Sequence, residues 1–148
     1  MEINTKDFGI VQVEDDAIYQ FDDGLYGFED VKRFAIFAQT FDDVSFLYLQ
    51  AIDETSPSFL VFEPWEMHPD YQPSLTDEDM RLCQVEDIEQ LIFLVIANIP
   101  SSIDEMSINI KSPVVLNPKT RKGRQVILQN PDYTIRYQPF FRDGKAGE

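Results

Sequence analysis

Apolar residues arrive along this chain in short runs, without the 3.6-residue beat of an amphipathic helix. Ile10-Val11-Gln12-Val13, Ala17-Ile18-Tyr19-Gln20-Phe21, Phe34-Ala35-Ile36-Phe37, Phe46-Leu47-Tyr48-Leu49, Phe59-Leu60-Val61-Phe62 and residues 91–97 are rich in aromatic and β-branched side chains. Runs of that length and composition predict strands. Two later segments, Met106-Ser107-Ile108-Asn109-Ile110-Lys111 and Tyr133-Thr134-Ile135-Arg136-Tyr137, alternate apolar and polar positions, which predicts strands with one face on a core and one in water. Val114-Val115-Leu116 and Arg124-Gln125-Val126-Ile127-Leu128 flank the connection 117–123 and predict a hairpin.

A single helix is well signalled, over residues 76–83. Thr76 is placed to cap it, Asp77, Glu78 and Asp79 put carboxylates at the positive end of the helix dipole, and Leu75 and Met80 stand at the spacing of a hydrophobic staple. Pro64, Pro69 and Pro73 predict an irregular loop between the fifth run and this helix. Many short strands with one short helix and no βαβ alternation predict a mainly β chain, either a small antiparallel β-barrel-like domain or a two-sheet one. One domain is expected over residues 1–141, followed by a mobile tail at 142–148.

Composition narrows the function classes. Across 148 residues, 12 Lys and Arg face 27 Asp and Glu, a formal charge of −15. That field repels polyanions, so it argues against sequence-independent nucleic-acid binding and against anionic membranes, and it favours basic partners. The charge is also polarised: residues 1–105 carry 24 acidic and 4 basic side chains, residues 106–148 carry 3 acidic and 8 basic. The lone Cys83 permits no internal disulfide, and the start of the chain has neither the basic nor the apolar stretch of a secretory signal, so a reducing cytoplasmic location is expected. The longest apolar run, seven residues, is far short of the roughly 20 that a membrane-spanning helix needs.

Catalytic and metal chemistry are poorly represented. His68 is the only histidine and has no thiolate or second imidazole at ligand spacing, so no metal site is expected, and no cofactor. Cys83 reads as a small buried hydrophobe. The many carboxylate pairs flank predicted turns, where solvation keeps them ionised. Gly24 and Gly27 lack the remaining residues of a phosphate loop and suit a tight turn. Two alternatives stay open: an enzyme that uses carboxylates inside a barrel mouth, and an RNA-binding module through the basic hairpin 119–124. A third role for that hairpin is to lie beside the acidic strands and neutralise part of their field.

Two motifs carry a resemblance. Phe21-Asp22-Asp23-Gly24-Leu25-Tyr26-Gly27-Phe28 resembles the F-x-x-G-L-x-G-F signature of the bacterial flagellar assembly factor family, FliW. Asn109-Ile110-Lys111-Ser112-Pro113-Val114-Val115-Leu116-Asn117, with Lys122-Gly123-Arg124-Gln125-Val126-Ile127-Leu128 after it, is similar to that family's N-L-[KR]-[AS]-P-[IV]-V-[IL]-N and K-G-[KR]-Q-V-[IV]-L segments. The resemblance implies a small β-barrel-like cytoplasmic protein that is not an enzyme. It further implies that the protein binds the translational regulator CsrA, relieves its repression of flagellin messenger RNA, and binds flagellin, which displaces CsrA. The motif residues themselves suit turns and core. The expected partner-binding positions are acidic and aromatic loop residues: Asp53, Glu54, Trp65, Met67, Asp70 and Tyr71.

Overall fold

The computed structural model describes residues 1–140. Ten strands run in chain order as β1 (Glu2–Thr5), β2 (Gly9–Gln12), β3 (Ile18–Gln20), β4 (Arg33–Phe41), β5 (Val44–Ala51), β6 (Ser58–Phe62), β7 (Ile92–Asn98), β8 (Ser107–Ile108), β9 (Val114–Asn117) and β10 (Lys122–Gln125), with two helices, α1 (Pro64–Met67) and α2 (Asp77–Leu82). The sheet order β6-β5-β4-β3-β10-β9-β7 returns on itself because β7 also pairs with β6, through Val61 opposite Ile96 and Phe62 opposite Val95. Closure removes the open edges that a sheet of this size would otherwise expose. The barrel is antiparallel apart from the β3–β10 contact, which is parallel. Among the described residues no helix is long and apolar enough to cross a membrane.

Several strands are apolar on both faces, and the layering explains it. In β7, Leu94 and Ile96 point into the barrel beside Phe21, Phe34, Leu49 and Leu116, whereas Phe93 and Val95 point outward into a second cluster with Tyr71, Met106, Ile108 and Val115. In β4 the same division sends Phe34 and Ile36 inward and Ala35 and Phe37 outward, where the β1–β2 hairpin covers them with Ile3, Val11 and Val13. Period-two alternation therefore vanishes in the strands that have a layer on each side.

The signalled helix forms as read from the residues. Asp79 N–H donates to Thr76 Oγ1 at 3.0 Å, and Leu75 and Met80 both pack on the outer cluster. Four expectations are corrected. The 64–74 loop begins with a helical turn, α1, because Pro64 sits at the first helical position, where its missing N–H costs nothing. The segment 106–111 contributes only a two-residue strand: Asn109 Oδ1 accepts from Ser112 N–H and turns the chain before Pro113. Residues 133–137 form no strand. Their backbone reaches Ile108 through an isolated bridge at Tyr137, and the alternation there reflects Tyr133 and Tyr137 packing on the outer cluster. The hairpin is tighter than expected: Asn117 pairs with Lys122, which leaves four connecting residues, and Asn117 Oδ1 holds them by accepting from Lys119 and Thr120 N–H. The expected tail at 142–148 lies outside the described residues.

Gly24 occupies φ +66°, and a Cβ there would lie 2.5 Å from the Phe28 carbonyl oxygen. Both the left-handed backbone and the close approach require glycine. Gly24→Ala is therefore expected to lower stability by more than about 1 kcal/mol, measured as the shift in a urea unfolding midpoint at unchanged slope.

Candidate interaction surfaces

The six positions chosen from the sequence fall into two groups at opposite ends of β6. Asp53 and Glu54 lie in the β5–β6 connection, exposed. Arg33 forks onto Asp53, with Nη2 to Oδ1 at 2.5 Å and Nε to Oδ2 at 3.1 Å, and this hydrogen bonding holds the Asp53 carboxyl below its ordinary range. The pair therefore contributes to stability above the unfolded carboxyl pKa near 4, and the contribution fades as pH falls through the lower folded value. With both side chains about half exposed, Asp53→Asn is expected to change stability at pH 7 by less than about 1 kcal/mol. A pair of denaturant titrations at neutral and acid pH would read the difference.

At the other end of β6, Trp65, Met67 and Asp70 follow Glu63. Trp65 is exposed over 43% of its surface, yet its Nε1 donates to the Tyr71 carbonyl at 2.9 Å and its ring meets Phe93 edge-on. Met67 is half-buried against the outer cluster, and Asp70 is exposed. Tyr71 is different. Only 2% exposed, it stacks on Tyr133 at 5.0 Å and donates its hydroxyl to the Ile110 carbonyl at 2.8 Å. The structure places it in the core, so it offers a partner no surface. His68 sits against the same tyrosines, with ring centroids 5.9 Å from Tyr71, 5.5 Å from Tyr133 and 5.0 Å from Tyr137.

Closure of the barrel leaves a mouth at each end; the sequence raised a barrel mouth only as the setting of an enzyme alternative and pointed to none of its residues. One, of about 500 Å³, is bounded by Leu25, Tyr26, Phe59, Ile96 and Ile135, with Asn98, Asn109, Gln125 and Arg136 among them. The other, of about 530 Å³, is bounded by Tyr19, Ile36, Leu47, Ile92, Leu94 and Leu116, with Asp16, Glu63 and Arg121 at its opening. These residues come from six or more separate segments, so nothing local in the sequence announced a shared interior. Glu66, whose carboxyl is pushed upward first by burial and then by Glu63, lies on α1 and lines neither mouth.

Comparison with known proteins settles the family. The family model described as FliW protein matches residues 2–139. This chain belongs to the FliW family. A flagellar assembly factor FliW of Thermoanaerobacter pseudethanolicus is 40% identical over 137 residues, which cover 93% of this chain and 91% of that protein. One of Caldanaerobacter subterraneus subsp. tengcongensis is 36% identical over 137 residues, with the same coverage. A crystal structure of the flagellar assembly factor FliW superposes with a TM-score of 0.84 at 27% identity, covering 97% of this chain and 99% of that one.

The two FliW motifs turn out to be packed on each other. Lys122 Nζ meets Asp22 Oδ2 at 2.8 Å, Arg124 Nη1 meets Asp23 Oδ2 at 3.0 Å, and Tyr26 N–H donates to Gln125 Oε1 at 3.0 Å. The Lys122 hydrogen bond is the main reason the Asp22 carboxyl lies below its ordinary range. Gly123 has no room for a side chain, since a Cβ would lie 2.5 Å from Phe21 Cζ and 2.8 Å from Leu116 Cδ2. In this chain the motifs thus fix how the first turn seats against the last hairpin. The hairpin cations are also largely spent internally, because Arg121 Nη1 donates to the Asp15 carbonyl. Of the roles weighed for residues 119–124, neutralising the acidic segment is the one the contacts support.

Proposed function

We propose that this protein binds CsrA in the cytoplasm, relieves CsrA repression of flagellin messenger RNA, and is itself withdrawn from CsrA when flagellin binds it. Membership of the FliW family carries the reading, and the charge distribution gives it a physical basis. A regulator that holds messenger RNA must present cations, and a formal charge of −15 both speeds encounter with such a surface and repels the RNA. Four of this protein's own cations, Arg33, Arg81, Lys122 and Arg124, are already held by its carboxylates. Its remaining field is therefore acidic. Carboxylates brought against or beside the RNA-binding surface of CsrA weaken its hold on the phosphate backbone.

Asp53 and Glu54 at one end of β6, and Trp65, Met67 and Asp70 at the other, are the contact positions this reading selects. Asp53→Lys combined with Glu54→Lys is expected to weaken CsrA binding while leaving the thermal midpoint nearly unchanged. For the function itself, a gel-shift assay of CsrA on a flagellin leader RNA is direct. Adding this protein should free the RNA, and adding flagellin should return it to CsrA. RNA that stays bound at saturating protein would refute the antagonist reading.

A further inference from the structure

The two mouths of the barrel differ in their fixed charge, and that difference assigns a partner to one of them. The Glu63 mouth has an apolar floor: Tyr19, Leu94 and Leu116 are buried, Ile36 and Leu47 are part-buried, and Ile92 is left 38% exposed at the edge. Apolar surface left in a concave site of about 530 Å³ is the ordinary form of a ligand or side-chain pocket. Its opening carries Asp16 and Glu63, with Glu14 and Asp15 adjoining along the chain, and among the described residues none of these four is in an ion pair. The cation at this opening, Arg121, is turned to the Asp15 carbonyl at 2.8 Å. The opposite mouth has the reverse character, with side-chain amides and Arg136 among its lining and, among the described residues, no carboxylate.

We propose that the Glu63 mouth is a docking pocket for a basic protein partner, which inserts an apolar side chain over Ile36, Leu47 and Ile92 while flanking Lys or Arg residues meet Asp16 and Glu63. The apolar insertion supplies burial, and the carboxylate rim selects cations next to it. The assignment rests on the reading that this protein engages the basic regulator CsrA, and it adds a pocket for one of that partner's side chains to the contacts the reading selects at Asp53 and Glu54.

The test is titration calorimetry of CsrA against the full-length protein and four variants, each checked by circular dichroism and a thermal melt. Asp16→Lys combined with Glu63→Lys should weaken binding about tenfold or more and flatten its salt dependence. The near-isosteric Asp16→Asn with Glu63→Gln, chosen to preserve the fold, should weaken it in the same direction. Ile92→Ser should weaken it several-fold, and Ile135→Ser at the opposite mouth should leave it unchanged. Rim and floor variants that bind within twofold of the unaltered protein would overturn the docking pocket and leave the CsrA reading standing. Absence of CsrA binding by the unaltered protein would overturn both.

Discussion

Phe21→Ala lowers the free energy of unfolding by about 3–5 kcal/mol, the first of two large effects expected from this structure. Phe21 is fully buried, it meets Phe34 edge-on at 5.1 Å, and its ring lies directly beneath the space that a side chain at 123 would occupy. Its backbone also anchors the turn, since Phe21 N–H donates to the Lys32 carbonyl at 2.7 Å and its carbonyl accepts from Gly24 N–H. Truncation leaves a cavity between the first turn and the last hairpin, and the neighbouring strands are tied into a closed barrel, which limits collapse into the gap. A urea titration followed by tyrosine and tryptophan fluorescence measures the loss. A change within about 1 kcal/mol would mean that the two motifs do not depend on one another for packing.

Tyr71→Ala is the second, also expected to cost about 3–5 kcal/mol, by analogy with other large buried aromatics. The substitution removes the ring between Trp65 and Tyr133 and leaves the Ile110 carbonyl without its buried donor. Tyr71→Phe keeps the ring and deletes only the hydroxyl, so it should cost about 1–3 kcal/mol, the usual penalty for an unsatisfied buried acceptor. The ratio between the two substitutions is diagnostic. If Tyr71→Ala melts like the unaltered protein but loses partner binding, the residue belongs to a surface after all.

Tyr71 also shows where a sequence stops being informative. An aromatic in a proline-broken segment beside Trp65 and Asp70 reads as an exposed anchor, because nothing local announces that Tyr133, more than sixty residues later, returns to stack on it. Strand positions were legible wherever a run was apolar on both faces, as in β4 and β7, since few other elements tolerate that composition. The helix at Thr76 was legible because its cap and staple are local. Residues 133–137 misled for the opposite reason: their alternation is real, but it serves contacts of Tyr133 and Tyr137 with the outer cluster and His68 rather than a strand ladder. The mouths were illegible, being made by closure between β6 and β7. The ion pairs Asp22–Lys122 and Asp23–Arg124 join residues about a hundred positions apart, and only the polarised charge of the chain hinted at them.

The most direct test of the central claim is titration calorimetry of this protein into CsrA from the same organism, at low and at high salt, with and without flagellin. Submicromolar binding that weakens as salt rises and is abolished when flagellin is present is the expected result. No heat at either salt, together with no comigration of the two proteins on gel filtration, would contradict it.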